Sequence, residues 1–313
     1  MDKLQKNQPN RSKPMKKWGK ALDFFSYLAI IKANDARIAS KKAKKAAPLQ
    51  EGCGRHFYHY KMGRLKAMEY RIEKDSIGER EVPVDAYYGV QSLRGAENFH
   101  ITGQKLQPEF INSMAEIKKA CAICNCMVGE MDEKIKDAIC QACDEIIAGQ
   151  FHDQFLCDPI QGGAGTTANM NANEVIANRA IEILGGKKGD YSIVHPNDHV
   201  NRAQSTNDVF PSAAKLTAAK LLKKAIAQLE RLEAALGQKE EEFHNIIKMG
   251  RTQMQDAVPI RLGSEFGAYR KAIQRDLVRL NRALEGMYAV NVGGTAVGTA
   301  LNANPAYVDA LAP

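Results

Sequence analysis

Two long apolar stripes in the second half of the chain constrain its fold more than any other feature. The first repeats every seven residues and predicts a helix from about Pro211 to Lys248, roughly 55 Å long at 1.5 Å per residue. The second steps by three or four residues and predicts a helix from about Arg261 to Val290. A lone hairpin cannot bury both stripes, so they favour a helical bundle that includes other subunits. The heptad positions of the first stripe are Leu222, Leu229, Leu236 and Phe243, with Leu232 and Ile246 beside them.

Shorter helices are predicted upstream. One begins at Pro108 and ends at Gly129, a second covers residues 132–148, and a third follows the glycine-rich loop 161–167 and ends at Gly185. Residues 71–104 are rich in turn residues and residues 187–204 predict a further loop. No succession of alternating strands indicates a parallel sheet, so the chain is predicted to be mainly α.

The positive charge is concentrated at the N-terminus. Of 44 Lys and Arg and 36 Asp and Glu in the chain, residues 1–67 hold 17 and 4 respectively, and the rest is mildly acidic. Composition becomes ordinary at Met68, so residues 1–67 are predicted to be a basic extension, disordered or preceding the true start. We therefore expect no nucleic-acid partner. No apolar run reaches the length of a membrane span, and an odd cysteine count of seven favours free thiols in the cytoplasm.

The cysteines leave a metal alternative open. Cys121 and Cys124 are separated from Cys140 and Cys143 by a spacing typical of zinc sites, with Cys126 as a further candidate ligand. Both pairs lie within helical patterns without glycine or proline beside them, which favours small buried side chains instead. His195 and His199 are four residues apart, but a proline lies between them, so a helical metal pair is not expected. The preferred interpretation is that the chain has no metal site.

Three donor-rich segments predict a site for a small anion. Thr166 follows the glycine-rich loop, Ser205-Thr206-Asn207 opens the longest helix, and Thr252-Gln253 lies in a polar turn at 250–257. Free amides at a helix start favour an anion, and hydroxyl and carboxamide groups add donors. The glycine-rich loop lacks the Gly-Lys-Ser/Thr ending of a phosphate-binding loop and the third glycine of a dinucleotide fingerprint, so a nucleotide is not expected.

The same segments resemble a known family. Residues 71–99, 162–174, 195–201, 204–208 and 250–259 are similar, in this order, to the fumarase/aspartase superfamily and within it to aspartate ammonia-lyases. Tyr87-Tyr88-Gly89-Val90 favours the ammonia-lyases over the sister fumarases, which usually have Trp-Gly-Ala there. The resemblance implies an N-terminal lyase domain at 68–205, the first part of a central helical-bundle domain at 206–313, and a homotetramer whose active sites are shared between subunits.

The family's reaction is the reversible deamination of L-aspartate to fumarate and ammonia, without a cofactor. By resemblance, Thr166, Ser205 and Thr206 would hold the β-carboxylate, and Asn207 would lie near the amino group or a carboxylate. Thr252 and Gln253 would reach the other end of the substrate from a neighbouring subunit. The family often has histidine at the position of Gln253, so only a polar binding role is carried over. A possible secondary anion site comprises His195, Asn197 and Asp198.

One family element does not occur in the 313 residues. The family's catalytic serine lies in a Gly-Ser-Ser-x-Met-Pro-x-Lys-x-Asn-Pro loop, which is absent from the sequence and would fall beyond the position of Pro313. We therefore expect the chain to be C-terminally truncated, without a catalytic residue of its own, inactive and poorly folded alone. The alternatives are a fumarate hydratase of the same superfamily, a non-catalytic helical scaffold, or the zinc-binding module.

Overall fold

The computed structural model describes residues 69–163 and 165–311, so the predicted extension at 1–67 lies outside the described residues. The described chain is mainly helical, as predicted. Two antiparallel hairpins accompany the helices. The elements in chain order are β1 (Tyr70–Lys74), β2 (Glu79–Pro83), α1 (Val90–Asn98), α2 (Pro108–Met127), α3 (Glu133–Ile147), α4 (Thr166–Ile183), α5 (Thr206–Glu242), β3 (Ile247–Thr252), β4 (Gln255–Arg261), α6 (Leu262–Met287) and α7 (Pro305–Leu311).

The predicted helices at 108–129 and 132–148 are confirmed as α2 and α3. Proline occupies the first position of α2, and the side chain of Gln107 accepts a hydrogen bond from the Phe110 amide. Asp132 caps α3 in the same way through the Lys134 amide. Gly129 and Gly149 follow the two helices with positive φ, a conformation that terminates helices and suits glycine.

The longest helix differs from its prediction at both ends. It starts at Thr206 rather than Pro211, because Ser205 and Asp208 form a reciprocal capping box that fixes the start five residues earlier. Pro211 therefore lies inside the helix instead of at its start. The helix stops at Glu242, and the predicted extension to Lys248 is wrong, since Ile247 already begins strand β3.

The polar turn predicted at 250–257 is confirmed only at its centre, because the residues on either side form the strands of a β-hairpin. β3 pairs with β4, and Thr252 lies opposite Gln255. The two residues between them, Gln253 and Met254, have φ of 51° and 62°, as a two-residue turn matching the strand twist requires. A Cβ on Gly250 would lie 2.8 Å from the Val258 carbonyl oxygen, so glycine permits the close approach of the strands.

The main hydrophobic core lies among α2, α3, α4 and the first turns of α5. Val209, Ala213 and Leu216 bring α5 into this core, and Tyr307 brings α7 into it. Residues on both sides of position 205 therefore share one core. The domain boundary between 205 and 206 stays a prediction. The largest buried aliphatic side chains of the core are Ile111, Met114, Ile117, Ile139, Ile146, Ile176 and Ile181.

Farther along, α5 packs against α6 over a much smaller buried cluster. Ala219, Ile226 and Leu284 are its buried members. Other members of the two stripes remain open, with Leu232 45% exposed and Tyr269 56% exposed. The hairpin of α5 and α6 thus covers only part of its apolar surface, which agrees with the physical argument for a larger bundle; the homotetramer itself stays a prediction. No helix in the described part of the chain combines the length and apolarity needed to cross a bilayer.

An ion pair between α3 and α4 gives a pH-dependent prediction. Arg179 donates to Glu145 at 2.6 Å through Nε, and this hydrogen bond lowers the pKa of Glu145. A carboxyl with a lowered pKa stabilises the fold above its unfolded pKa of about 4.5, and the stabilisation is lost as pH falls through the folded value. We expect Arg179→Met to cost about 1 kcal/mol at pH 7 and less near pH 3, where its partners Glu145 and Glu182 are more protonated. Urea unfolding of both proteins at the two pH values measures this, and an equal loss at both would contradict it.

Candidate active site

The N-terminal ends of α4 and α5 meet at one place. Gly165, which precedes α4, has φ of 92°, and a Cβ there would lie 2.3 Å from the ring of Phe210 in the first turns of α5. Only glycine satisfies both the backbone conformation and this contact. Gly165 has no side chain to cap the helix, but Gln161 Oε1 accepts from the Ala168 amide at 2.7 Å. The two amides before it have no partner among the described residues and can bind a ligand, and the Thr166 side chain is exposed beside them.

A carboxamide network joins the two helix starts. Asn169 Nδ2 on α4 donates to Thr206 Oγ1 at 3.3 Å and to Asn201 Oδ1 at 3.2 Å. Since the Thr206 oxygen accepts this bond, its own hydroxyl hydrogen can donate elsewhere. Thr206 is half-buried at the edge of a cleft, so a ligand there can receive that hydrogen.

Ser205 is arranged in the same manner. Its Oγ accepts from the Asn207 amide at 3.2 Å, which leaves its hydrogen to donate. Asp208 fixes the turn, with its two carboxylate oxygens accepting from the Ser205 and Thr295 amides at 3.0 Å each. Asn207 Nδ2 donates to the Ala296 carbonyl at 2.8 Å, so this amide group ties the 295–302 segment to the site.

Ser205 and Thr206 open onto a cleft of about 470 Å³, large enough for a small organic anion. The cleft lies between the start of α5 and the 295–302 segment. It is lined by Asn201, Ala203, Gln204, Ser205, Thr206, Thr295, Ala296, Val297, Leu301 and Asn302.

The structure does not bring all the predicted site residues together within one chain. Thr252 ends β3 and Gln253 begins its turn, both beyond the far end of α5. A helix of 37 residues separates them from Thr206 by roughly 55 Å. Ser205, Thr206 and Asn207 are therefore consecutive at the start of α5 and Thr166 lies at the adjoining start of α4, whereas Thr252 and Gln253 are distant from both. Their predicted contribution to a neighbouring subunit's site stays a prediction.

The predicted secondary anion residues form a short π-helical turn at Pro196–Val200. His195 Nδ1 accepts from the amides of Asn197 and Asp198 at 3.2 Å each, so its side chain occupies the start of the turn. The His195 amide in turn donates to His199 Nδ1 at 2.8 Å. Asn197 and Asp198 line a neighbouring open cleft of about 850 Å³. A secondary anion site here stays a prediction.

The cysteines pack as apolar side chains. Cys121, Cys124 and Cys143 are buried, and burial raises the pKa of the Cys121 thiol to about 12. Within residues 69–163 and 165–311, no group of three or more His, Cys, Asp or Glu side chains is placed to hold a metal ion. The zinc-binding alternative therefore has no support from the positions of the described side chains.

Sequence reasoning missed the residues directly behind the site. Asn169 and Asn201 connect the two helix starts, Gln204 leads into Ser205, and Lys118 contacts the last two. One signal was available in the sequence, because α4 carries several asparagines on the side of the helix that its apolar residues bury. Buried amide groups need hydrogen-bond partners, so these residues predict a buried polar network. These are Asn169, Asn171, Asn173 and Asn178.

Comparison with known proteins identifies the family. The profile of the family described as Lyase matches residues 78–313. Aspartate ammonia-lyase of Bacillus subtilis strain 168 is 55% identical over 240 residues, which cover 77% of this chain and 50% of that protein. The solved structure of fumarate lyase:delta crystallin from Brucella melitensis bound to cobalt is 48% identical with a TM-score of 0.75, over 78% of this chain and 53% of that one.

A class II fumarase from Schistosoma mansoni is 39% identical, with a TM-score of 0.74 over 78% of this chain and 51% of that one. The chain thus spans about half the length of the relatives it matches. The predicted resemblance is confirmed at the level of family and fold. The family profile matches three quarters of the chain, and the aspartate ammonia-lyase of Bacillus subtilis is 55% identical to it over 240 residues. The chain therefore belongs to the Lyase family, in the fumarase/aspartase superfamily.

Proposed function

We propose that this chain forms the carboxylate-binding part of an aspartate ammonia-lyase, which converts L-aspartate reversibly to fumarate and ammonia. One observation carries the proposal: the oxygens of Ser205 and Thr206 both accept hydrogen bonds from N–H groups, so that both hydroxyl hydrogens can donate to one anion. The first two amides of α4, which precede the Ala168 amide that Gln161 caps, add donors from a second side.

This arrangement suits the charge that the reaction develops. Removal of a proton from the carbon next to the β-carboxylate places a second negative charge on that carboxylate. Donors fixed in advance bind the doubly charged group more strongly than the substrate, which lowers the barrier. Thr166, Ser205 and Thr206 would hold this group, with Asn207 beside it, and no cofactor is needed. The base would come from the family's serine loop, which the 313 residues do not contain.

The remaining contacts are proposed to come from other copies of the chain. Thr252 and Gln253 would meet the opposite end of the substrate across a subunit interface, as the homotetramer implied by the resemblance requires. Their hairpin lies outside the main core, and Met254 at its tip is 98% exposed. A cytoplasmic location, expected from the thiols, belongs to the same proposal.

A complementation experiment tests the activity. In this test the chain is co-expressed with the C-terminal half of the Bacillus subtilis aspartate ammonia-lyase, where the family resemblance places the serine loop. We call this pair the complemented protein. We expect the chain alone to form no fumarate and the complemented protein to form fumarate from L-aspartate, followed by ultraviolet absorbance. The C-terminal half expressed alone is the control.

The same assay separates the main alternative. A fumarate hydratase would act on L-malate, and the similarity to the Schistosoma mansoni fumarase keeps this candidate open. Turnover of L-malate without turnover of L-aspartate would contradict the proposal, as would fumarate formation by the chain alone.

A further inference from the structure

A completely buried lysine lies directly behind the proposed site. Lys118, in the middle of α2, has 0% exposure. Its Nζ donates to Asn201 Oδ1 at 2.7 Å and to Gln204 Oε1 at 2.8 Å. Both acceptors are neutral amides. Burying an ammonium group costs free energy unless it is hydrogen-bonded. A buried lysine at this position therefore suggests a role for its charge or for the hydrogen bonds that it makes.

The lysine is linked to the site hydroxyls by short steps. Asn201 Oδ1, which accepts from Lys118, also accepts from Asn169 Nδ2, and that same nitrogen donates to Thr206 Oγ1. Gln204 immediately precedes Ser205, and the side-chain nitrogen Nε2 of Gln204 donates to the Val200 carbonyl at 3.0 Å. Because the ammonium group occupies both amide oxygens, it fixes which way both amide groups point.

The charged and titratable groups around Lys118 are few. Asp208 approaches from α5, Cys121 from α2 itself and Cys143 from α3. Both thiols are buried with a raised pKa, so they remain neutral at ordinary pH. Burial lowers the pKa of Lys118 to about 8, so the group is still mainly cationic at pH 7.

We propose that Lys118 is a positioning residue for the substrate carboxylate: its buried ammonium group holds the 201–204 loop so that Ser205 and Thr206 present their hydroxyls, and it supplies the positive charge behind them. This inference rests on the proposed function for the identity of the anion. The positioning of the loop itself is independent of it.

Matched substitutions at adjacent lysines test the positioning. Lys118→Met removes the ammonium group and keeps the length of the side chain. Lys119→Met is the control, since Lys119 Nζ bonds Asp144 Oδ1 on α3 at 2.7 Å. In the complemented protein we expect Lys118→Met to speed amide hydrogen exchange in residues 201–207 at least tenfold and to weaken succinate binding at least tenfold. Lys119→Met is expected to change each by less than twofold.

A measurement on the unsubstituted complemented protein covers the case in which Lys118→Met does not fold. The Lys118 side chain is titrated by NMR with and without saturating succinate. A bound dicarboxylate near the ammonium group favours its protonated form, so the pKa of Lys118 should rise by about one pH unit, a tenfold change in proton affinity. The side-chain signals of Lys119 should not respond to succinate.

The outcomes distinguish the two proposals. Equal effects of the two substitutions, or a Lys118 titration that succinate leaves unchanged although it binds, would overturn the role of Lys118. Absence of succinate binding to the unsubstituted protein would refute the proposed function, and faster exchange confined to residues 201–207 in Lys118→Met would still support the positioning role.

Discussion

Thr206→Val is expected to lower kcat/KM for fumarate formation by the complemented protein by a factor of about 10² to 10³. Valine keeps the shape of threonine and removes the one hydrogen that the cleft can receive from this residue. Asn169 Nδ2 loses Thr206 Oγ1 but keeps Asn201 Oδ1, so the fold should tolerate the change. Because the lost hydrogen bond is strongest to the doubly charged carboxylate, most of the loss should appear in kcat.

Thr217→Val is the matched control for this prediction. Thr217 lies three turns farther along α5. Its hydroxyl bonds the Ala213 carbonyl at 2.8 Å and Ser113 Oγ on α2 at 3.0 Å, and it does not line the cleft. We expect its steady-state kinetics to change less than twofold. A loss of less than threefold in Thr206→Val, or similar losses in both variants, would contradict the assignment of Thr206 to the substrate carboxylate.

Glu174→Ala is expected to cost about 3 to 5 kcal/mol of stability, the largest single loss that we predict in the described chain. Glu174 on α4 is 1% exposed, and its carboxylate accepts from the Gly89 amide at 2.9 Å and from the Ser92 amide and hydroxyl. It also accepts from the Gln91 amide at 2.9 Å. This one side chain thus satisfies the start of α1 from a distant part of the sequence, and alanine would leave those donors buried without a partner.

Glu182→Ala, two turns farther along α4, is the control. Its carboxylate is 39% exposed and bonds Tyr87 and Arg179, so we expect a loss of about 1 kcal/mol. Chemical denaturation followed by circular dichroism measures both variants. A loss below 1 kcal/mol for Glu174→Ala would show that the start of α1 does not depend on this carboxylate.

The sequence was informative where local chemistry decides the structure. Pro108, Asp132 and the glycines after α2 and α3 set helix ends through their own backbone preferences, so those helices could be predicted. The heptad position at Phe243 led to a wrong C-terminal end for α5. Apolar spacing alone continues the helix through Ile246, but the pairing of β3 with β4 ends it earlier. The β3–β4 hairpin depends on contacts between strands, which single-residue preferences represent weakly.

The site shows the same division. Ser205, Thr206 and Asn207 were recognisable because three hydrogen-bonding residues exceed what one helix cap needs. Lys118 was not recognisable, since a lysine within a helix is usually solvated and only the packing of α2 against the 201–204 loop buries it. The paired cysteines left a zinc alternative open through their spacing, and among the described residues no group of three or more potential ligands supports it.

The length of α5 has a consequence for how such a protein responds to dilution. Its 37 residues keep the hairpin that carries Thr252 out of reach of the chain's own Ser205. On the proposed arrangement, a complete binding pocket exists only while copies are associated, so its population obeys mass action. Diluting the protein below the dissociation constant of the assembly would then abolish aspartate binding while each separate helix start, with its capping box and amide network, stayed intact.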